Sequence, residues 1–281
     1  MFKFKVDNQS YQLPQTPYEV TYKQGLKIKE LEKTFGGINY GYKLNVLKML
    51  SGCERLGEVV EEEINLIFKS LPLFGQDLDI AISDTILMSG KKYGLINLDK
   101  ISVQEFIDIE ELLRNSIDLY DVSSSLSAIV YRPISVVRKS LITRILNLRL
   151  KFLKNRFIKP YACRDYEVNG YDLEESDRRV KLVEEQFSWG NAIACLAYYM
   201  AWKNKIAKTY FLVFEPEDTE EQQGDEEDKS PTMGDMWGME NQIQYYSGGD
   251  PVQIDRFKSW NIRKFLRYLS YRNQDAKQKN K

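Results

Sequence analysis

The chain of 281 residues contains no histidine. That absence removes histidine general bases, Cys–His and Ser–His–Asp sites, and imidazole-ligated metals. Cysteine is scarce: Cys53, Cys163 and Cys195 are odd in number, far apart, and form no CxxC. Such usage fits a reducing compartment and buried thiols better than a disulfide framework or a zinc site. Excess charge of either sign is missing too. The net charge of −1 gives the whole molecule no field that would draw it to nucleic acid or membrane. The longest low-charge stretch, Phe187 to Trp202, covers 16 residues, short of the roughly 20 needed to span a bilayer. The opening MFKFKVDNQS alternates apolar and charged residues and does not read as a signal peptide. A soluble, intracellular globular chain is expected, with one large domain or two modest ones.

What is present is mostly helical patterning. Phe2, Phe4 and Val6 alternate with Lys3 and Lys5, and after DNQS come Tyr11 and Leu13, which predicts a β-hairpin with one buried face. Helices are predicted over 22–34 and 41–52, separated by GGINYG, and from Glu54 to about Ser70 on the stripe Leu56, Val60, Ile64, Ile67, Leu71. Residues 76–99 read as strands or loops. Ser102 followed by Glu105 is a capping-box pattern that starts a helix. Val122 to Ile134 reads as a short helix interrupted by Pro133. The stripe Ile134, Val137, Leu141, Ile145, Leu148, Phe152 predicts a long amphipathic helix, and 180–202 another. Residues 215–228 hold nine acids in fourteen positions, the composition of an exposed loop or linker. The last helix carries Ile262, Phe265, Leu266 and Leu269 at i, i+3, i+4, i+7, and NQDAKQKNK is expected to fray.

Charge is unevenly spread. From Val122 to Arg164 there is no acid but ten Lys and Arg. Arg138, Arg144, Arg149, Lys151, Lys154 and Arg156 flank the long stripe. Such a helix could track phosphates or lie on a membrane surface. The near-zero net charge favours contact with the acidic 215–228 run or an acidic neighbour subunit. Asp77 and Asp79 are a possible carboxylate pair, but without a third partner they read as a solvated loop. SGKKYG at 89–94 lacks the earlier glycine of a phosphate loop and reads as a turn. Trp189, Tyr198, Tyr199, Trp202 and Tyr210 read as core or interface rather than a base-stacking platform. Ser124 has no base to activate it. No catalytic, cofactor or metal site emerges.

The order of local patterns adds a further reading. YKLNVLKMLSGCERLGEVVEEEINLI is followed by KISVQEFIDIEELL, IVYRPI, DYEVNGYDLEESDRRVKLVEEQFSWGNAIACLAYYM, and WGMENQIQYYSGGDPVQIDRFKSWNIRKFLRYLSYRNQD. This succession resembles a loosely defined set of tailed-bacteriophage proteins, the tail-assembly chaperones and small virion structural proteins, notably those of crAss-like phages of gut Bacteroides. The segments that match are Glu105–Asp108, Tyr131–Pro133 and Leu266–Tyr271. In the relatives the Y-R-P segment leads quickly to the Y-D segment, whereas here 134–160 inserts the basic helix, and the acidic run is likewise added.

The resemblance implies a noncatalytic structural protein of the phage tail or neck, without cofactor. Its partners are other virion proteins and copies of itself in a ring-like assembly. Specific nucleic-acid binding and a membrane span are not expected. A transient assembly chaperone and a virion-packaged nucleic-acid-binding protein are the alternatives. The expected fold is mainly α: an N-terminal unit over 1–75 with the hairpin, a helical body over 76–214, an acidic loop or linker over 215–250, and a C-terminal docking helix and tail over 251–281. The candidate interface is the basic set above together with Ile262, Phe265, Leu266 and Leu269.

Overall fold

The computed structural model describes residues 2–71, 82–116, 118, 120, 122–135, 167–214 and 238–279. The fold is mainly α with a small antiparallel sheet at the N-terminus. Strands β1 (Phe2–Val6) and β2 (Gln9–Leu13) pair with Phe2 opposite Leu13 and Phe4 opposite Tyr11. Asp7 and Asn8 both take positive φ, the tight hairpin turn that Asp and Asn tolerate. The hairpin hands Leu13, fully buried, to helices α1 (Tyr22–Thr34), α2 (Tyr40–Ser51) and α3 (Glu61–Lys69). Thr21 and Gln24 form a complete capping box on α1, Asn39 caps α2, and Gly52 ends it in the left-handed conformation.

The single helix expected from Glu54 to Ser70 is two pieces. A 3-10 turn covers Glu54–Glu58, Val59 and Val60 are extended, and α3 starts afresh. Glu61, Glu62 and Glu63 fill its first turn, where carboxylates suit the positive end of a helix dipole. Val60, expected on the buried stripe, is 58% exposed.

The second half of the chain is built around a four-stranded antiparallel sheet in the order β3 (Thr85–Met88), β4 (Lys91–Leu95), then the strands Tyr131–Ser135 and Glu167–Val168. Ser89 and Gly90, both at positive φ, turn β3 into β4, which is the turn SGKKYG suggests. Between β4 and the third strand lie α4 (Val103–Arg114) and α5 (Ser123–Val130). The third strand, β5, corrects the sequence reading. The helix expected through Ile134 stops at Val130, and Ile134, expected to begin the long amphipathic helix, pairs with Val168 of the fourth strand, β6. Pro133 drives this, because it pushes the preceding Arg132 out of the helical region and into extended backbone. The remainder of that stripe lies outside the described residues.

Next come α6 (Leu173–Gln186) and α7 (Trp189–Thr209), where one helix was expected over 180–202. The break at Phe187–Ser188 has a purpose visible in its hydrogen bonds. Tyr22 N donates to Phe187 O (3.2 Å) and Trp189 N donates to Val20 O (2.7 Å), so the kink ties the N-terminal helices to the rest. Ser188 then caps α7. Trp189 and Ala192 belong to the N-terminal apolar cluster, while Cys195, Tyr199, Trp202 and Ile206 further along α7 belong to the second.

The chain continues through α8 (Phe211–Phe214), α9 (Gly238–Ser247), α10 (Pro251–Lys258) and α11 (Ile262–Lys279). Helix α9, with Ile243 buried, occupies part of the stretch assigned to an acidic loop or linker. Helix α11 runs to Lys279 rather than fraying after Arg272. Tyr246 donates to Asn273 (3.0 Å) and packs under the Arg272 guanidinium, which holds that turn. No helix among the described residues is long and apolar enough to cross a membrane.

Candidate functional site

The segments that carry the bacteriophage resemblance are far apart in sequence and meet in the fold. Glu105 of α4 is 3% exposed and Arg132 of β5 is 6% exposed, and their carboxylate and guanidinium form an ion pair. Arg132 Nε also donates to Ile129 O (3.1 Å), and the guanidinium stands over the Tyr171 ring at 5.2 Å. Tyr171 donates through its hydroxyl to Asp108 Oδ2 (2.7 Å), whose other oxygen accepts from Gln104 Nε2 (2.7 Å). The E-F-I-D, Y-R-P and Y-D segments thus share one buried polar node.

A second guanidinium closes it. Arg179 of α6 donates to Ala128 O through Nε (3.2 Å) and Nη2 (3.0 Å), and to Ser176 Oγ (2.9 Å), covering the carbonyl near the end of α5. Burial draws Arg132 down to about 10, Arg179 adds repulsion, and Tyr171 opposes both, so Arg132 stays charged at neutral pH. Burial and the Asp108 hydrogen bond push the Tyr171 phenol well up, keeping it a donor. Each polar group faces a named partner inside the protein. The node can lock α4, α5, α6 and β5 together; a reacting group is not presented to solvent.

Sequence reasoning missed this node while quoting its residues. Glu105 was assigned to a capping box. Ser102 Oγ does accept from Glu105 N (3.1 Å), but the Glu105 side chain turns inward to Arg132 instead of back to the cap. The available signal was an arginine inside IVYRPI, a run otherwise suited to burial.

Of the residues proposed from sequence, Arg138, Arg144, Arg149, Lys151, Lys154 and Arg156 lie outside the described residues, as do Asp77, Asp79, Cys163 and the 215–228 run. Ile262, Phe265, Leu266 and Leu269 are all fully buried, docked within the same chain. Ile262 N donates to Ile101 O (2.9 Å) and Val103 N donates to Trp260 O (2.8 Å), fixing α11 beside α4. Asp99 gathers the neighbouring elements: its carboxylate takes Trp202 Nε1 (2.9 Å) and Arg263 (2.7 Å).

The aromatic band is largely core. Tyr199 is fully buried and donates to Glu110 (2.8 Å), which also pairs with Lys203 (2.5 Å). Ser124 is buried, within 3.4 Å of Glu184. Cys53 and Cys195 are buried free thiols. No cluster of three or more metal-ligating side chains occurs among the described residues. No protein-family model, no curated protein and no solved structure matches this chain.

Proposed function

We propose that this chain is a structural protein of a tailed-bacteriophage virion, packed in the tail or neck and acting through protein–protein contacts. The observation that supports the reading is the buried node. The three segments Glu105–Asp108, Tyr131–Pro133 and Tyr171–Asp172, quoted for the resemblance on sequence grounds alone, converge on one ion-paired and hydrogen-bonded cluster. A shared scaffold preserved by buried pairing is what links such segments physically, since leaving one charge of such a pair alone in the interior is costly. Apolar side chains that remain in water, among them Leu66 (69% exposed), Leu87 (71%) and Val252 (73%), are available to neighbouring subunits. In this reading the partners are other virion proteins and further copies of the chain, and no reaction chemistry is involved.

Mass spectrometry of purified particles from a phage carrying the gene tests it. Presence at a fixed stoichiometry relative to the tail proteins supports the proposal. Absence from particles together with abundance in infected-cell lysate replaces it with the transient assembly-chaperone role.

A further inference from the structure

Helix α11 has two unlike faces. Ile262, Phe265, Leu266 and Leu269 are buried, while Lys264, Arg267 and Tyr271, at helical spacing on the other side, are exposed. Arg267, Ser270, Tyr271 and Gln274 form one wall of an open cleft of about 330 Å³, and Thr209, Tyr210 and Phe211 form the other. The Tyr271 ring is 69% exposed and Phe211 50%, while Tyr210 is nearly buried. Two aromatic rings therefore border the same solvent-filled space.

The cleft is locally basic in a chain of net charge −1. Helix α7 carries Lys203, Lys205 and Lys208 and no acid; α11 carries Arg263, Lys264, Arg267 and Arg272 before its lone acid, Asp275. Lys203 and Arg263 are engaged by Glu110 and Asp99. Arg267 and Lys208 make no ion pair among the described residues, and both are exposed. Cations alone would suit an acidic peptide. Exposed rings beside cations suit something with both a flat apolar face and an anionic backbone. Bases stack on Phe and Tyr whatever their identity, and phosphates pair with Arg and Lys. A ring reaches a base face only where the strand is unpaired.

We propose that this cleft binds single-stranded nucleic acid without sequence preference, with a base stacked on Phe211 or Tyr271 and adjoining phosphates on Arg267 and Lys208. The proposal stands independently of the virion role, since it needs only the full chain and an oligonucleotide.

Fluorescence anisotropy of the full-length protein with labelled oligo(dT) of about a dozen nucleotides tests it. Expected are saturable binding that exceeds binding to a matched duplex, and weakening as salt rises. Phe211→Ala with Tyr271→Ala lowers affinity about tenfold. Arg267→Gln weakens binding and reduces the salt slope by about one contact. Should the double variant lose its melting transition, Tyr271→Ser alone, at the more exposed ring, carries the same test. The proposal is overturned if no saturable binding occurs, if ring variants bind as the wild type does, or if duplex binds as well. Polyglutamate competing as strongly as oligo(dT) also overturns it, in favour of an acidic protein partner.

Discussion

Glu105 and Arg132, 27 residues apart in sequence, pair their charges in the interior, each less than a tenth exposed. Removing one partner strands the other in a medium that solvates it poorly. Glu105→Ala or Arg132→Ala should each cost about 3–5 kcal/mol. Glu105→Leu combined with Arg132→Met should recover most of that loss, because no unpaired charge remains. Urea unfolding of the singles and the double, read as a cycle, checks this; additive costs would mean the two side chains act independently.

Gly25 lies inside α1 directly beneath Trp189. A Cβ placed there would approach Trp189 ring atoms to 2.1–2.4 Å. Alanine in a helix interior gains about 1 kcal/mol of propensity over glycine, but overpacking a buried ring costs about 1–3 kcal/mol. The clash should win, since Trp189 is also held by its backbone bond to Val20. Gly25→Ala is therefore expected to lower the melting temperature, and Trp189→Leu in that background to restore part of it.

The Cys195 thiol is fully enclosed, and burial pushes its pKa up to about 12 from the ordinary 9.0. The folded state therefore holds its proton at pH values where the unfolded chain has lost it. Stability from this group is complete below about pH 9 and is lost as pH rises toward 12, by about 1.4 kcal/mol per unit. Unfolding measured at pH 8 and pH 10 should show the drop, and Cys195→Ala should flatten it. In the native protein at pH 8 the thiol should resist alkylation that it undergoes in urea.

Much of the local structure was legible because its causes are local. Thr21 with Gln24 marked the start of α1, and the alternation of Phe2, Phe4 and Val6 marked the hairpin. The stripe Ile262, Phe265, Leu266, Leu269 marked the buried face of α11. What escaped depended on distant neighbours. The break at Phe187–Ser188 is held by Val20 and Tyr22, some 165 residues away in sequence, although the capping serine was in plain view. Residues 131–135 form a strand because β4 and β6 flank them, with Gly94 opposite Arg132 and Val168 opposite Ile134, and helical periodicity read along the chain could not register either. The Glu105–Arg132 pair was hidden for the same reason: Glu105 suits a capping box equally well until the position of Arg132 is known.

The β5–β6 pairing makes the basic insertion testable as a module. Ser135 and Glu167 sit directly opposite each other in an antiparallel ladder. The chain between them leaves and re-enters the sheet at one place, so closing that gap with a short turn should leave both strands in register. Replacing residues 136–166 with Asn-Gly is expected to preserve the circular dichroism spectrum and to change the melting temperature by only a few degrees. Loss of cooperative unfolding would show that the insertion is part of the folded core.

The last prediction separates the two faces of α11. Phe265 and Leu269 are fully buried, and Phe265 packs against Phe257 at a ring separation of 5.5 Å. Truncating Phe to Ala in a core costs about 3–5 kcal/mol and Leu to Ala about 2–5 kcal/mol. Domains commonly have about 5–15 kcal/mol in total. Phe265→Ala with Leu269→Ala should therefore abolish or nearly abolish the folded state, seen as a lost melting transition. Deleting 274–281 removes no residue of either apolar cluster and leaves the Tyr246–Asn273 hydrogen bond in place. That truncation should melt close to wild type, because the docked face ends at Leu269 and the turn after it is held by Tyr246. It also takes away Gln274 from the cleft rim while leaving Phe211, Arg267 and Tyr271. Oligo(dT) binding should therefore weaken less in the truncated protein than in the Phe211→Ala, Tyr271→Ala variant. If the truncation unfolds the protein while the double alanine variant does not, the end of α11, and not its apolar stripe, holds the helix in place.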